Sequence, residues 1–174
     1  MLKHIFKTIY KTDTVFDNYE KVNNKVISVL KTRANITSPS QKEITENMDK
    51  VLDSRLMMKD QEKLIRKLIV KMKAQKQKKE HEIFMWKQEA KMQFEIVEKE
   101  YIEEYRNEIG KKSLTIEEKK ILFRNRYSKE YNKNSEMLIL LDEYIQTLED
   151  ERDDILDTKK QLSDYLDILK RIYN

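Results

Sequence analysis

Two histidines, a run of lysines and arginines, several adjacent carboxylates and a group of aromatic side chains are the residues of this chain with chemistry to offer. Histidine is the general acid–base of neutral pH and a common metal ligand. His4 stands alone, and His81 sits in Glu80-His81-Glu82 on a heavily charged stretch. A di-iron bundle needs a glutamate three residues before the histidine on the same helix face; position 78 is a lysine. Zinc-protease, nucleophile-elbow, phosphate-loop and dinucleotide fingerprints do not occur. Without cysteine there is no thiolate site and no disulfide framework. The pair Asp153-Asp154 reads as a solvated acidic face, because consecutive helical side chains diverge by about 100°. These residues describe a non-enzymatic protein with no catalytic or metal site and no cofactor.

The stretch Lys59, Lys63, Arg66, Lys67, Lys71, Lys73, Lys76, Lys78 and Lys79 is different in kind. Lysines along one helix neutralise phosphates spaced along a strand without reading sequence. Phe84, Trp86, Phe94, Tyr101, Tyr105, Phe123, Tyr127 and Tyr131 lie further along, with Arg106, Arg124 and Arg126 among them. Aromatic and arginine side chains interleaved in this way have the composition of a single-strand stacking platform. The plainer reading makes the aromatics a helix–helix core and gives the basic block an acidic partner in the same chain. At the start of the chain Leu2, Ile5, Phe6, Ile9 and Tyr10 form one apolar helical face beside Lys3, His4, Lys7 and Lys11. That face is expected to dock on a coiled coil or on a partner rather than on a membrane.

Elements must position these residues, and composition narrows which. The chain has 174 residues, 39% of them charged, with one glycine and one proline. Most β and α/β architectures draw on glycine for tight turns, so an all-α protein is left. Both rare residues fall where a helix must start or stop. Ser38-Pro39-Ser40-Gln41 offers an N-cap, an N1 proline and an N3 glutamine, and Ser40 with Glu43 offers a capping box two residues later. Gly110 suits the end of a helix, and Thr115 with Glu118 forms a second capping box. The expected organisation is an N-terminal amphipathic helical segment at 1–34, as one helix or two, and a linker at 35–40. A long helix at 41–109, a turn at 110–114 and a second long helix at 115–173 follow.

Apolar residues recur every seventh position in both long segments. Val51, Met58, Ile65, Met72 and Trp86 share one row, and Met48, Ile69, Ile83, Ala90 and Val97 its neighbour. Leu141, Leu148, Ile155, Leu162 and Leu169 share a row beside Leu138, Ile145, Leu166 and Tyr173. A heptad period this long argues for a coiled coil. Asn23, Arg55, Glu62, Lys76, Lys79, Arg152 and Lys159 interrupt these rows and are expected to fix register.

Charge is expected to pair the long helices antiparallel, by the chain folding back on itself or between two chains. Residues 1–87 carry 20 basic and 11 acidic side chains, and residues 88–174 carry 16 and 21. With a turn centred near 112, the basic block faces an acidic run from Glu136 to Asp157. The acidic stretch 88–108 then faces Lys119, Lys120, Arg124, Arg126, Lys129 and Lys133. The expected fold is an elongated antiparallel coiled-coil hairpin, with Phe94 opposite Glu130 and Tyr131, and Tyr101 opposite Phe123.

The expected function is that of a structural or adaptor protein, a homo-oligomer that bridges or assembles protein partners in a phage or other assembly. The alternative is an oligomeric single-stranded nucleic-acid-binding accessory protein of the recombination or replication-mediator type. The residues proposed for such a partner or strand are Lys63, Arg66, Lys67, Lys71, Lys73, Lys76, Lys78 and Lys79. No apolar run approaches the 18 residues of a membrane span, and a cytoplasmic setting, or a virion if viral, is expected.

Overall fold

The structure, a computed structural model, describes residues 13–33, 39–104 and 114–174. Among them are three α-helices and no strand, so the fold is all-α. The helices are α1 (Asp13–Thr32), α2 (Gln41–Glu104) and α3 (Ile116–Tyr173). The N-terminal docking face and the turn at Gly110 lie outside the described residues.

Both long helices begin on reciprocal caps. Ser40 N–H donates to Glu43 Oε2 at 2.8 Å, and Glu43 N–H donates back to Ser40 Oγ at 3.3 Å. Thr115 and Glu118 repeat the arrangement at 2.8 and 3.3 Å. Each box satisfies two amide donors that the first turn would otherwise leave without a partner. Of the two helix starts that the sequence offers near the proline, the structure uses the later one.

The chain divides into two compact units. One contains the described residues up to Met72 together with Glu143–Asn174, and the other is Lys73–Asp142.

In the first unit α2 buries Ile44, Val51, Met58, Ile65 and Met72 at seven-residue steps. Of the companion row expected from sequence, Glu62 and Ile69 are buried and Arg55 is exposed, and a further row, Ser54, Gln61 and Leu68, is buried beside them. On α3 three rows turn inward: Leu148, Ile155, Leu162 and Leu169; Ile145 and Leu166; and Tyr144, Glu151 and Tyr165. Three buried rows are wider than a two-helix seam requires, and a third helix accounts for the width. Val26 of α1 is fully buried. Thr32 Oγ1 gives its proton to the Val29 carbonyl at 2.6 Å, so at 3.2 Å it accepts from the Tyr165 hydroxyl. At the other end of α1, burial raises the Tyr19 phenol above its ordinary pKa, and the negative charges of Glu151 and Asp154 add to the shift. Rising numbers on α1 therefore meet rising numbers on α3, and the two run parallel.

In the second unit pairing is antiparallel. Lys76 meets Asp142 at 2.5 Å, and Lys119 meets Glu98 at 2.9 Å. Between them Phe94 packs edge-on against Phe123 at 5.8 Å and Trp86 against Tyr127 at 6.0 Å. The pairing differs from the expected register by about one heptad, since a turn centred at 112 would put residue 101, not Phe94, opposite Phe123. Glu130 and Tyr131 are not the partners of Phe94. A slip of seven residues leaves the same apolar rows facing inward, and the charge blocks are longer than a heptad. Neither signal separates two registers one heptad apart.

Candidate functional site

Among the described residues, no group of three or more histidine, aspartate or glutamate side chains is arranged to hold a metal ion. No helix is long and apolar enough to cross a membrane among them. The features with chemical content are the polar side chains inside the heptad rows and the outward faces of the helices.

Glu62 is the clearest of the polar insertions. It lies against the first unit's core with little exposure. Lys159 of α3 donates to its Oε2 at 2.5 Å, and Arg66 approaches its Oε1 at 2.6 Å from the next turn of α2. The lysine hydrogen bond holds the Glu62 carboxyl below the usual carboxylate range, against the opposing effect of burial. Sequence placed Glu62 and Lys159 separately in two apolar rows, and the structure pairs them across helices. Beside them Gln61 Oε1 is buried without a hydrogen-bond partner. Of the other insertions, Lys76 bridges to Asp142, which raises its pKa through that hydrogen bond, while Arg152 turns to Asp153 on its own helix.

The basic block does not behave as one surface. Lys63, Arg66, Lys67 and Lys71 are exposed on the first unit. Arg66 is engaged by Glu62, but Lys63, Lys67 and Lys71 have no ion-pair partner among the described residues. On the second unit Lys76 has Asp142 and Glu80, and Lys78 and Lys79 both reach Glu82. Lys73 also carries an interaction. The half of the block in the second unit is thus largely neutralised within the chain, and the half in the first is not.

Tyr105 and Arg106 lie outside the described residues; of the described aromatics, Trp86, Phe94, Phe123 and Tyr127 pack together. Phe123 contacts both Phe94 and Tyr127, the latter at 4.9 Å, and Lys87 lies over the Tyr131 ring at 5.4 Å. Offset and edge-on ring pairs of this kind are what a narrow helix–helix core uses to fill space. Tyr131 keeps 46% exposure and Phe84 56%.

Sequence reasoning passed over the outward faces. Leu56 and Val70 are 62% and 68% exposed, one heptad either side of Lys63. In the second unit Met92 and Ile96 are 63% and 60% exposed, on the side of α2 away from buried Ala90 and Phe94. The signal was present as apolar residues out of phase with the heptad rows. On α3 of the first unit, Glu143, Asp150, Asp157 and Asp164 form an exposed acidic row at seven-residue steps, opposite the Leu148 row.

No family model matches the chain, and no significant match exists among curated proteins or solved structures.

Proposed function

We propose that the protein is a non-enzymatic adaptor: an antiparallel coiled-coil hairpin, thickened by α1, that assembles protein partners along its outward helix faces. The observation that carries this reading is the exposure of Leu56, Val70, Met92 and Ile96 on faces turned away from the cores. Heptad rows hold the helices, and large apolar side chains outside those rows need a partner to leave water. Antiparallel contacts in the second unit and the capped starts of α2 and α3 support the hairpin. A photo-crosslinking side chain placed at 56, 92 or 96, in cells that make the protein, tests the reading. One or two discrete protein adducts are expected, and Met92→Glu should abolish the adduct from a crosslinker placed at 96. Failure to form adducts from all three positions overturns it.

A second reading rests on Lys63, Lys67 and Lys71, which have no partner in cis among the described residues. An oligomer aligning these lysines would bind single-stranded nucleic acid through phosphates, with affinity falling steeply as salt rises. Anisotropy of a labelled strand at two salt concentrations, with Lys63→Glu and Lys67→Glu as controls, decides it.

A further inference from the structure

We propose that the outward basic face of α2 in the first unit docks on the outward acidic row of α3 in a second copy of the chain. This rests on the adaptor reading and names one of its partners.

Three observations carry it. The charges match and are unspent: Lys63, Lys67 and Lys71 have no ion-pair partner among the described residues, and neither do Glu143, Asp157 and Asp164. Asp150 accepts only a neutral hydrogen bond, from Gln146 at 2.9 Å. The strips also have compatible lengths. At about 1.5 Å per residue, Lys59 to Lys71 covers about 18 Å of α2 and Glu143 to Asp164 about 32 Å of α3. Finally, the basic strip is not purely polar. Leu56 and Val70 flank Lys63 in its own row, so docking removes apolar surface as well as pairing charge.

Both helices turn their inner rows to one core, so their outward faces diverge and one copy cannot join its own two strips. Each copy therefore offers a basic strip to one neighbour and an acidic strip to another. That is a heterologous contact, which builds rings or open chains rather than a closed pair. A nucleic acid would use the lysines but leave the acidic row without a role.

The test is the mass of the full chain by sedimentation velocity across a wide concentration range. Mean mass should rise with concentration, and the apparent dissociation constant should increase at least about tenfold when salt shortens the Debye length from about 10 Å to about 3 Å. Lys63→Glu with Lys67→Glu should sediment as a monomer, and so should Asp150→Lys with Asp157→Lys. All four positions are exposed, and circular dichroism should show unchanged helix content. An equimolar mixture of the two double variants should regain association, because one supplies an intact acidic row and the other an intact basic strip. A wild type that stays monomeric overturns the proposal, as does a mixture that fails to associate. A monomeric wild type whose lysines still bind a labelled single strand would assign the strip to nucleic acid. None of these outcomes touches the crosslinking result at Met92 and Ile96, so the adaptor reading stands or falls separately.

Discussion

Removing the Glu62 carboxylate isolates the contribution of a charge inside a helical core. Losing one partner of a fully buried ion pair costs about 3–5 kcal/mol, and an exposed pair contributes about 0–1 kcal/mol. The side chain of Glu62 is 11% exposed and that of Lys159 31%. In a bundle this narrow Lys159 swings into water when its partner is lost, and so does Arg66, which is 61% exposed. We therefore expect Glu62→Gln to destabilise by about 1–2 kcal/mol, well below the buried limit. A double-mutant cycle with Lys159→Met, read by urea denaturation, should give a coupling of about 1 kcal/mol. Glu62→Leu with Lys159→Met together should be near neutral, because an apolar pair of similar size removes both desolvation costs. The pH dependence has a definite sign. A carboxyl held below its ordinary value contributes stability above the unfolded pKa of about 4.3 and loses it as pH falls through the folded value. Glu62→Gln should therefore match wild type in strong acid, and the difference should open as pH rises through the folded value and be complete above about pH 4.3. Coupling below about 0.3 kcal/mol, within the scatter of independent sites, refutes the argument.

Gln61→Leu should stabilise by about 1 kcal/mol in the same assay, since it removes a buried oxygen with no partner. Tyr165→Phe deletes the hydroxyl that Thr32 accepts from and should cost about 0.5–1.5 kcal/mol. Its sharpest effect should be faster amide exchange along α1, with the first-unit amides of α2 unchanged. Ser40→Ala should cost about 1 kcal/mol and fray the first turn of α2, which hydrogen exchange would report at Gln41 to Thr45. An unchanged stability in Tyr165→Phe or Ser40→Ala would show that the corresponding contact does not operate in solution, and in Gln61→Leu that the buried oxygen carries no penalty.

The helical class was legible because glycine and proline are so few and the heptad rows so long. Capping boxes at Ser40 and Thr115 were legible for a related reason, since both depend on residues three apart. Register was not. Phe94 meets Phe123 where symmetry about 112 would bring residue 101. A seven-residue slip preserves every inward position, so the choice is made by ring packing and individual ion pairs, which residue types alone do not encode. The parallel packing of α1 on α3 was hidden too, because Tyr144, Glu151 and Tyr165 do not look like one apolar row until a third helix covers them. The basic block was legible as composition but not as a surface, because Glu80, Glu82 and Asp142 answer only its second half.

That partial neutralisation changes what net charge says about the protein. A total of +4 suggests weak electrostatics, yet the effective charge at a contact is what remains after internal pairing. Arg66 and Lys76 are engaged internally, whereas Lys63, Lys67 and Lys71 still face solvent. Exposed pairs hold register weakly, so their stabilising effect is small. Their larger effect is subtractive: each removes a charge from the set that a partner can meet. On the proposed adaptor reading, specificity depends on the unpaired positions and on the exposed Leu56 and Val70 beside them rather than on the lysine count.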